Sequence, residues 1–231
     1  MNDIKLSKRL STAASYVRSG AFVADIGTDH AFLPIYLVLS GKVDKALASD
    51  INVGPIQTAK ENITRYGLTD KIFTEIANGL EGIESYCPTD IVICGMGGEL
   101  IADIVEKADF VKNPAIRLVL LPMTKVGHLR EYLANNGFAV EGETLSSVQN
   151  KVYTCLCVSY TGQPYSLTAF EREFGCFAPK AASPAPELLV QMQKKKRDLS
   201  HRIQGGLAKG EDVTQAKQLA EEIERYLCEH S

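Results

Sequence analysis

The segment Asp25-Ile26-Gly27-Thr28-Asp29-His30 gathers two carboxylates, a hydroxyl and an imidazole around one glycine. It stands where an apolar run, Ala21 to Ile26, gives way to a helical pattern. Ligands of open parallel sheets bind beyond the carboxyl ends of the strands, and a glycine there admits a ligand close to the backbone. The second and third glycines of the G-x-G-x-x-G dinucleotide fingerprint are missing, and Asp25 and Asp29 would repel a diphosphate. They suit a cationic ligand with an amino group, which favours S-adenosylmethionine over a nicotinamide dinucleotide. Asp50, at the end of a second β-rich run, is placed to accept hydrogen bonds from ribose hydroxyls. Asn78-Gly79-Leu80 follows a third run and offers an amide and an apolar side chain to an adenine. Gly95-Met96-Gly97-Gly98 follows a fourth, where three glycines would expose backbone N–H groups and let a planar base approach. The blander expectations are a turn with Asp29 as helix N-cap and a glycine-rich turn feeding a helix.

These turns need a scaffold. Short β-rich runs alternate with helical stretches, the pattern of a parallel sheet flanked by helices. Helices are predicted over 4–18, 31–40, 54–66, 99–108 and 126–136, and strands over 21–26, 45–50, 72–77, 90–94 and 116–121. Ile91-Val92-Ile93 is apolar enough for a central strand. Gly137 reads as a left-handed helix cap. Residues 138–145 and 152–160 read as two strands with no helix between, pairing antiparallel at one edge. The prediction is a doubly wound, Rossmann-like α/β domain over residues 1–160. After Tyr160, a segment with Pro164, Pro179, Pro184 and Pro186 is expected to be extended. Two apolar stripes follow, Leu188, Met192, Leu199, Ile203 and then Val213, Ala216, Ala220, Ile223, Leu227. With Gly205, Gly206 and Gly210 as its turn, an antiparallel helical hairpin is predicted within a second module, 161–231.

Hydrophobic residues make up 45% of the 231, enough for a sizeable core, and no apolar run approaches the roughly 20 residues that span a bilayer. The polar start, Met1 to Arg9, argues against a secretory signal, so a cytoplasmic protein without membrane contact is expected. The six cysteines show no C-x-x-C spacing and read as buried free thiols; the four histidines lack ligand-like spacing, so no metal is expected. A net charge of −3 confines any nucleic-acid contact to a local basic patch. The run Lys194, Lys195, Lys196, Arg197, adjoined by Arg202, is one such patch, with a solvated helix face as the alternative.

Five motifs together resemble the bacterial tRNA (adenine(22)-N(1))-methyltransferase family: Leu6-Ser7-Lys8-Arg9-Leu10, the run from Asp25 through Phe32-Leu33-Pro34, Gly54-Pro55, Asn78-Gly79-Leu80 and Gly95-Met96-Gly97-Gly98. The resemblance covers about residues 4–160 and continues loosely through the tail. It implies a class I methyltransferase domain followed by a helical coiled-coil domain, S-adenosylmethionine as cofactor, and methylation of N1 of an adenine in tRNA. By this resemblance and the turns above, Asp25, Gly27, Thr28, Asp29, Asp50, Asn78, Gly79, Leu80, Gly95 and Gly97 would hold the cofactor. Asp29, His30, Gly95 and Met96 would surround the reacting atoms. Arg9 and Lys194, Lys195, Lys196 and Arg197 would contact tRNA, and a monomer is the default expectation. Three departures fall on the family's pattern. Asp50 stands for its usual Glu, Leu121-Pro122-Met123 for Gln-Pro-Asn, and Tyr153-Thr154 for Tyr-Glu. These leave open a methyltransferase acting on another RNA or a small molecule, and a non-catalytic RNA-binding adaptor. A nicotinamide oxidoreductase fails on the missing fingerprint.

Overall fold

A computed structural model describes residues 4–149, 151–177, 180 and 184–230, so Met1 to Asp3 and Pro179 lie outside the described residues. The chain divides into two compact units, Met1–Tyr165 and Ser166–Ser231.

The first unit is a doubly wound α/β sheet. Its strands are β1 (Val23–Ile26), β2 (Ala46–Asp50), β3 (Ile72–Ile76), β4 (Asp90–Cys94), β5 (Arg117–Leu121), β6 (Phe138–Val148) and β7 (Lys151–Tyr160). They lie in the order β3-β2-β1-β4-β5-β7-β6. The first five pair parallel, β7 pairs antiparallel with β5, and β6 with β7. The winding reverses between β1 and β4, which places the turns after Ile26 and Cys94 side by side. The helices are α1 (Lys8–Tyr16), α2 (Phe32–Leu39), α3 (Val53–Arg65), α4 (Gly98–Glu106) and α5 (Val126–Asn135).

Alternation along the central strands explains the two layers. Val119 and Leu121 of β5 join a core with Ala13 of α1, Leu33 of α2 and Ala59 of α3. Leu118 and Leu120, one residue out of phase, join the opposite core with Ile101 of α4 and Leu129 of α5. The Arg18 backbone N–H and Nε donate to the fully buried Asp90 carboxylate at 2.8 and 2.7 Å, tying the lead-in to β1 to the start of β4. Gly137 has φ +74 and follows α5 as a left-handed cap, as predicted.

The second unit holds α6 (Ala169–Phe174), α7 (Pro186–Lys209) and α8 (Thr214–Glu229). Three expectations are corrected here. The segment after Tyr160 is not extended throughout: Thr168 and Glu171 close a capping box that starts α6, both partners satisfying orphan N–H groups. Gly205 and Gly206 are not in the hairpin turn but inside α7, which ends at Gly210 with φ +72. A Cβ at Gly206 would strike Val213 Cγ1, so this glycine serves the close approach of the chain entering α8. The cysteines are all free, but Cys87 and Cys228 are exposed, the first just after a short 3-10 helix, Ile83–Tyr86, and the second on α8. Among the described residues no helix is long and apolar enough to cross a membrane, and no group of three or more His, Cys, Asp or Glu could hold a metal ion.

Candidate active site

A cleft of about 510 Å³ opens at the carboxyl ends of β1, β2, β4 and β5, lined by both switch-point turns. That position is where doubly wound sheets bind ligands. Asp25, Gly27, Thr28, Asp29, Asp50 and Gly95 of the predicted cofactor set reach it, as do His30 and Met96.

Asp25, the next-to-last residue of β1, is buried, 7% exposed. Burial pushes its carboxyl up to about 6, against a smaller downward pull from its hydrogen bond with Thr28. Thr28 Oγ1 also accepts from the Ala31 N–H at 3.1 Å. Thr28 therefore caps the turn, and Asp29 does not. Ala31, the residue before α2, sits at φ +55, an unusual backbone for a residue with a Cβ. The Gly27 and Thr28 N–H groups both donate to the Ser49 carbonyl at 2.8 Å, which fixes the turn to the end of β2. Gly27 has φ +76, and a Cβ there would collide with Met96 Cε. Both the left-handed backbone and the nearness of Met96 therefore require a glycine here.

Asp29 is freed from capping, with its side chain 78% exposed, and pairs with His30 Nε2 at 3.1 Å. The imidazole stacks on Phe32, with ring centroids 5.0 Å apart. Asp50 Oδ1 accepts from the Asn52 N–H at 2.7 Å, a local turn that orients the carboxylate at the strand end. Beneath the cleft, burial drives the Cys94 thiol well above its ordinary range, with Asp25 and Cys155 adding to the rise and Arg9 opposing it.

Four predicted cofactor residues are not brought to this cleft. Asn78 and Leu80 line a separate cavity of about 690 Å³ shared with Leu100 and Ile104. Gly79, at φ +62, lies against Ile104, whose Cγ1 would stand 3.0 Å from an added Cβ. Gly97 makes a bridge to Thr124, and a Cβ at Gly98 would collide with the Lys125 carbonyl. Within Gly95-Met96-Gly97-Gly98, only the first two face the cleft. The last two let the β5–α5 connection pack closely.

Arg9 is half-buried and lines the cleft from α1. Its Nη1 donates to Met123 Sδ at 2.8 Å, and its guanidinium carbon lies 4.7 Å from the centre of the Tyr153 ring. Leu121 also reaches the cleft, so the departures at Leu121 and Met123 both fall beside Arg9, while Tyr153, which keeps the family's Tyr, lies under its guanidinium. Phe32, from the motif that begins at Asp25, lines the cleft too, and so does Cys94, which the sequence offers only as a free thiol. Cys94 directly precedes Gly95-Met96-Gly97-Gly98, and that adjacency is the signal for it in the sequence. In the second unit, Lys195 pairs with Glu173 at 2.7 Å and Lys196 pairs with Glu224. Lys194 and Arg197 are exposed on α7.

Comparison with known proteins places this geometry. Residues 6–156 match the family model described as a methyltransferase domain. The chain is 41% identical over 156 residues to the tRNA (adenine(22)-N(1))-methyltransferase of Bacillus subtilis, a match covering 68% of this chain and 66% of that protein. It resembles the crystal structure of a putative tRNA (m1A22) methyltransferase from Streptococcus pneumoniae in complex with S-adenosyl-L-methionine, with TM-score 0.83 and 33% identity, covering 96% of this chain and 100% of that one. It resembles M. capricolum TrmK in complex with S-adenosyl-homocysteine at TM-score 0.82 and 26% identity, covering 98% and 99%.

Proposed function

The chain belongs to the bacterial tRNA (adenine(22)-N(1))-methyltransferase family, and from that membership we propose that its cleft transfers a methyl group from S-adenosylmethionine to N1 of an adenine in tRNA. The observation that carries this reading is the ring of Asp25, Asp29 and Asp50 around Gly27 at the switch point. Three carboxylates fit a ligand with an ammonium, a sulfonium and a ribose diol, and they disfavour a diphosphate. When bound, the cofactor supplies a methyl group activated by a positive sulfonium.

The chain's own part is to hold, align and exclude water. Gly27 provides the close approach, Thr28 fixes the turn, and Asp50 receives ribose hydroxyls. Asp25 supplies a buried carboxylate for the ligand's positive charge. Gly95 and Met96, on the neighbouring strand end, form the edge of a slot for the target base. Adenine N1 carries its own lone pair, so no side chain need remove a proton before attack. N1 lies on the Watson–Crick edge, so the nucleotide must be unpaired or extruded to enter. Methylation leaves the base cationic, and Asp29, oriented by His30, is the exposed carboxylate available to stabilise that charge.

The tail after about residue 160 would serve as a tRNA-contacting unit. Because Lys195 and Lys196 are engaged in ion pairs, Lys194 and Arg197 would carry most of the contact with backbone phosphates. A tRNA substrate also implies a cytoplasmic setting. The test is incubation of the protein with methyl-labelled S-adenosylmethionine and unmodified transcripts. Label entering full-length tRNA, and not an unrelated RNA of equal length, is expected. Label entering both alike would favour a different RNA substrate.

A further inference from the structure

We propose that Arg9 anchors the carboxylate of the cofactor's amino-acid tail and does not contact tRNA phosphate. This rests on the S-adenosylmethionine reading above. The starting observation is a cation without a counter-charge. The other arginines of the first unit that are at least partly buried each meet a carboxylate: Arg18 with Asp90, Arg117 with Glu141, Arg130 with Glu143. Arg9 meets a thioether and an aromatic face. Its Nε is buried and has no hydrogen-bond partner among the described residues. Leaving a guanidinium partly desolvated without an anion is costly, and the cost is recovered when an anionic ligand arrives.

The charges of the cleft identify that ligand group. Its acidic side chains are Asp25, Asp29 and Asp50, and its basic ones are Arg9 and His30. His30 is already paired with Asp29. An amino-acid tail carries one ammonium and one carboxylate. The ammonium has carboxylates to choose from, and the carboxylate has Arg9. A phosphodiester brought to the same guanidinium would enter among three carboxylates and be repelled. Met123 and Tyr153 hold the guanidinium without consuming its charge: sulfur is a weak acceptor and the ring offers only its face. The remaining N–H donors stay available for the planar, two-oxygen match that arginine makes with carboxylates.

The discriminating ligand is decarboxylated S-adenosylmethionine, which keeps the adenosine, the sulfonium and the amine and lacks only the carboxylate. Calorimetric titration of the full chain with both ligands should show that Arg9→Ala weakens S-adenosylmethionine about 10- to 100-fold, the range of a lost charge-assisted hydrogen-bond pair. Decarboxylated ligand should bind the wild-type and Arg9→Ala proteins within about twofold of each other. Met123→Leu, which keeps the guanidinium, should change either ligand less than about threefold. Equal losses for both ligands in Arg9→Ala would overturn the proposal, since Arg9 would then support the cleft as a whole. So would unchanged S-adenosylmethionine binding with weakened tRNA binding, which would return Arg9 to phosphate. Failure of the wild-type protein to bind S-adenosylmethionine would instead defeat the cofactor reading on which the proposal rests.

Discussion

Asp25→Asn should stabilise the ligand-free protein and weaken it as a cofactor binder. Burial lifts the Asp25 carboxyl from its ordinary 3.8 to about 6 in the folded chain. Below pH 3.8 the carboxyl is protonated in both states and adds nothing to either side. As pH rises through 3.8 the unfolded chain ionises while the folded chain resists, so stability falls until pH passes 6. The full displacement of about two pH units corresponds to about 3 kcal/mol at pH 8, and about 1 kcal/mol of it is present by pH 4.5. An amide in place of the carboxyl carries no charge to bury and can still accept from Thr28. Urea unfolding of both proteins at the two pH values measures the difference. The variant should be more stable by about 3 kcal/mol at pH 8 and by about 1 kcal/mol at pH 4.5. In the same variant S-adenosylmethionine should bind more weakly, and wild-type affinity should fall as pH drops below 6. A variant less stable than wild type at pH 8, or a gain equal at both pH values, would refute the reasoning.

Gly27→Ala places a Cβ at φ +76 and into Met96 Cε. It should cost about 1–2 kcal/mol of stability and reduce S-adenosylhomocysteine affinity more than tenfold by calorimetry. Met96→Ala should partly restore that affinity, and full binding by Gly27→Ala alone would remove the close-approach argument. Glu143→Ala removes the buried carboxylate to which Arg130 Nε donates at 2.8 Å, the Arg130 side chain being 4% exposed. A loss of about 3–5 kcal/mol in denaturant unfolding is expected, with cofactor affinity unchanged. Lys194→Ala with Arg197→Ala should lower the slope of log tRNA affinity against log salt by about 0.7–1.8, one or two phosphate contacts. Lys195→Ala with Lys196→Ala should lower it less, and a ranking in the opposite order would return Lys194 and Arg197 to a solvated face.

The sheet was legible because its signals are local. Ile91-Val92-Ile93 is apolar on both sides, and β4 does lie between β1 and β5 with a helix layer on each face. The order of the turns was legible too, but not the direction each one faces. Asn78-Gly79-Leu80 stands in the expected order, yet Ile104 lies against Gly79, and Asn78 and Leu80 line a separate cavity. Arg9 is a similar case. Its partners Met123 and Tyr153 lie over a hundred residues away, so helical spacing alone leaves a solvated face and a cleft wall indistinguishable. In the tail, Gly205-Gly206 reads as a turn because glycine costs a helix about 1 kcal/mol. The contact with Val213 offsets that cost and belongs to tertiary structure. The Thr168–Glu171 pair that starts α6 fits the capping-box pattern, but it lies between Pro164 and Pro179, and such a proline-rich stretch favours extended chain.

The proposed reaction of this cleft is methylation of adenine N1 in tRNA, even with Leu121 and Met123 where the resemblance leads one to expect amides. Nucleoside mass spectrometry of unmodified tRNA, digested after incubation with the wild-type protein and S-adenosylmethionine, tests it most directly. The expected product is 1-methyladenosine, absent when the cofactor is omitted. Wild-type protein that binds S-adenosylmethionine yet yields no 1-methyladenosine, or yields a methyl group on another base or atom, would contradict it.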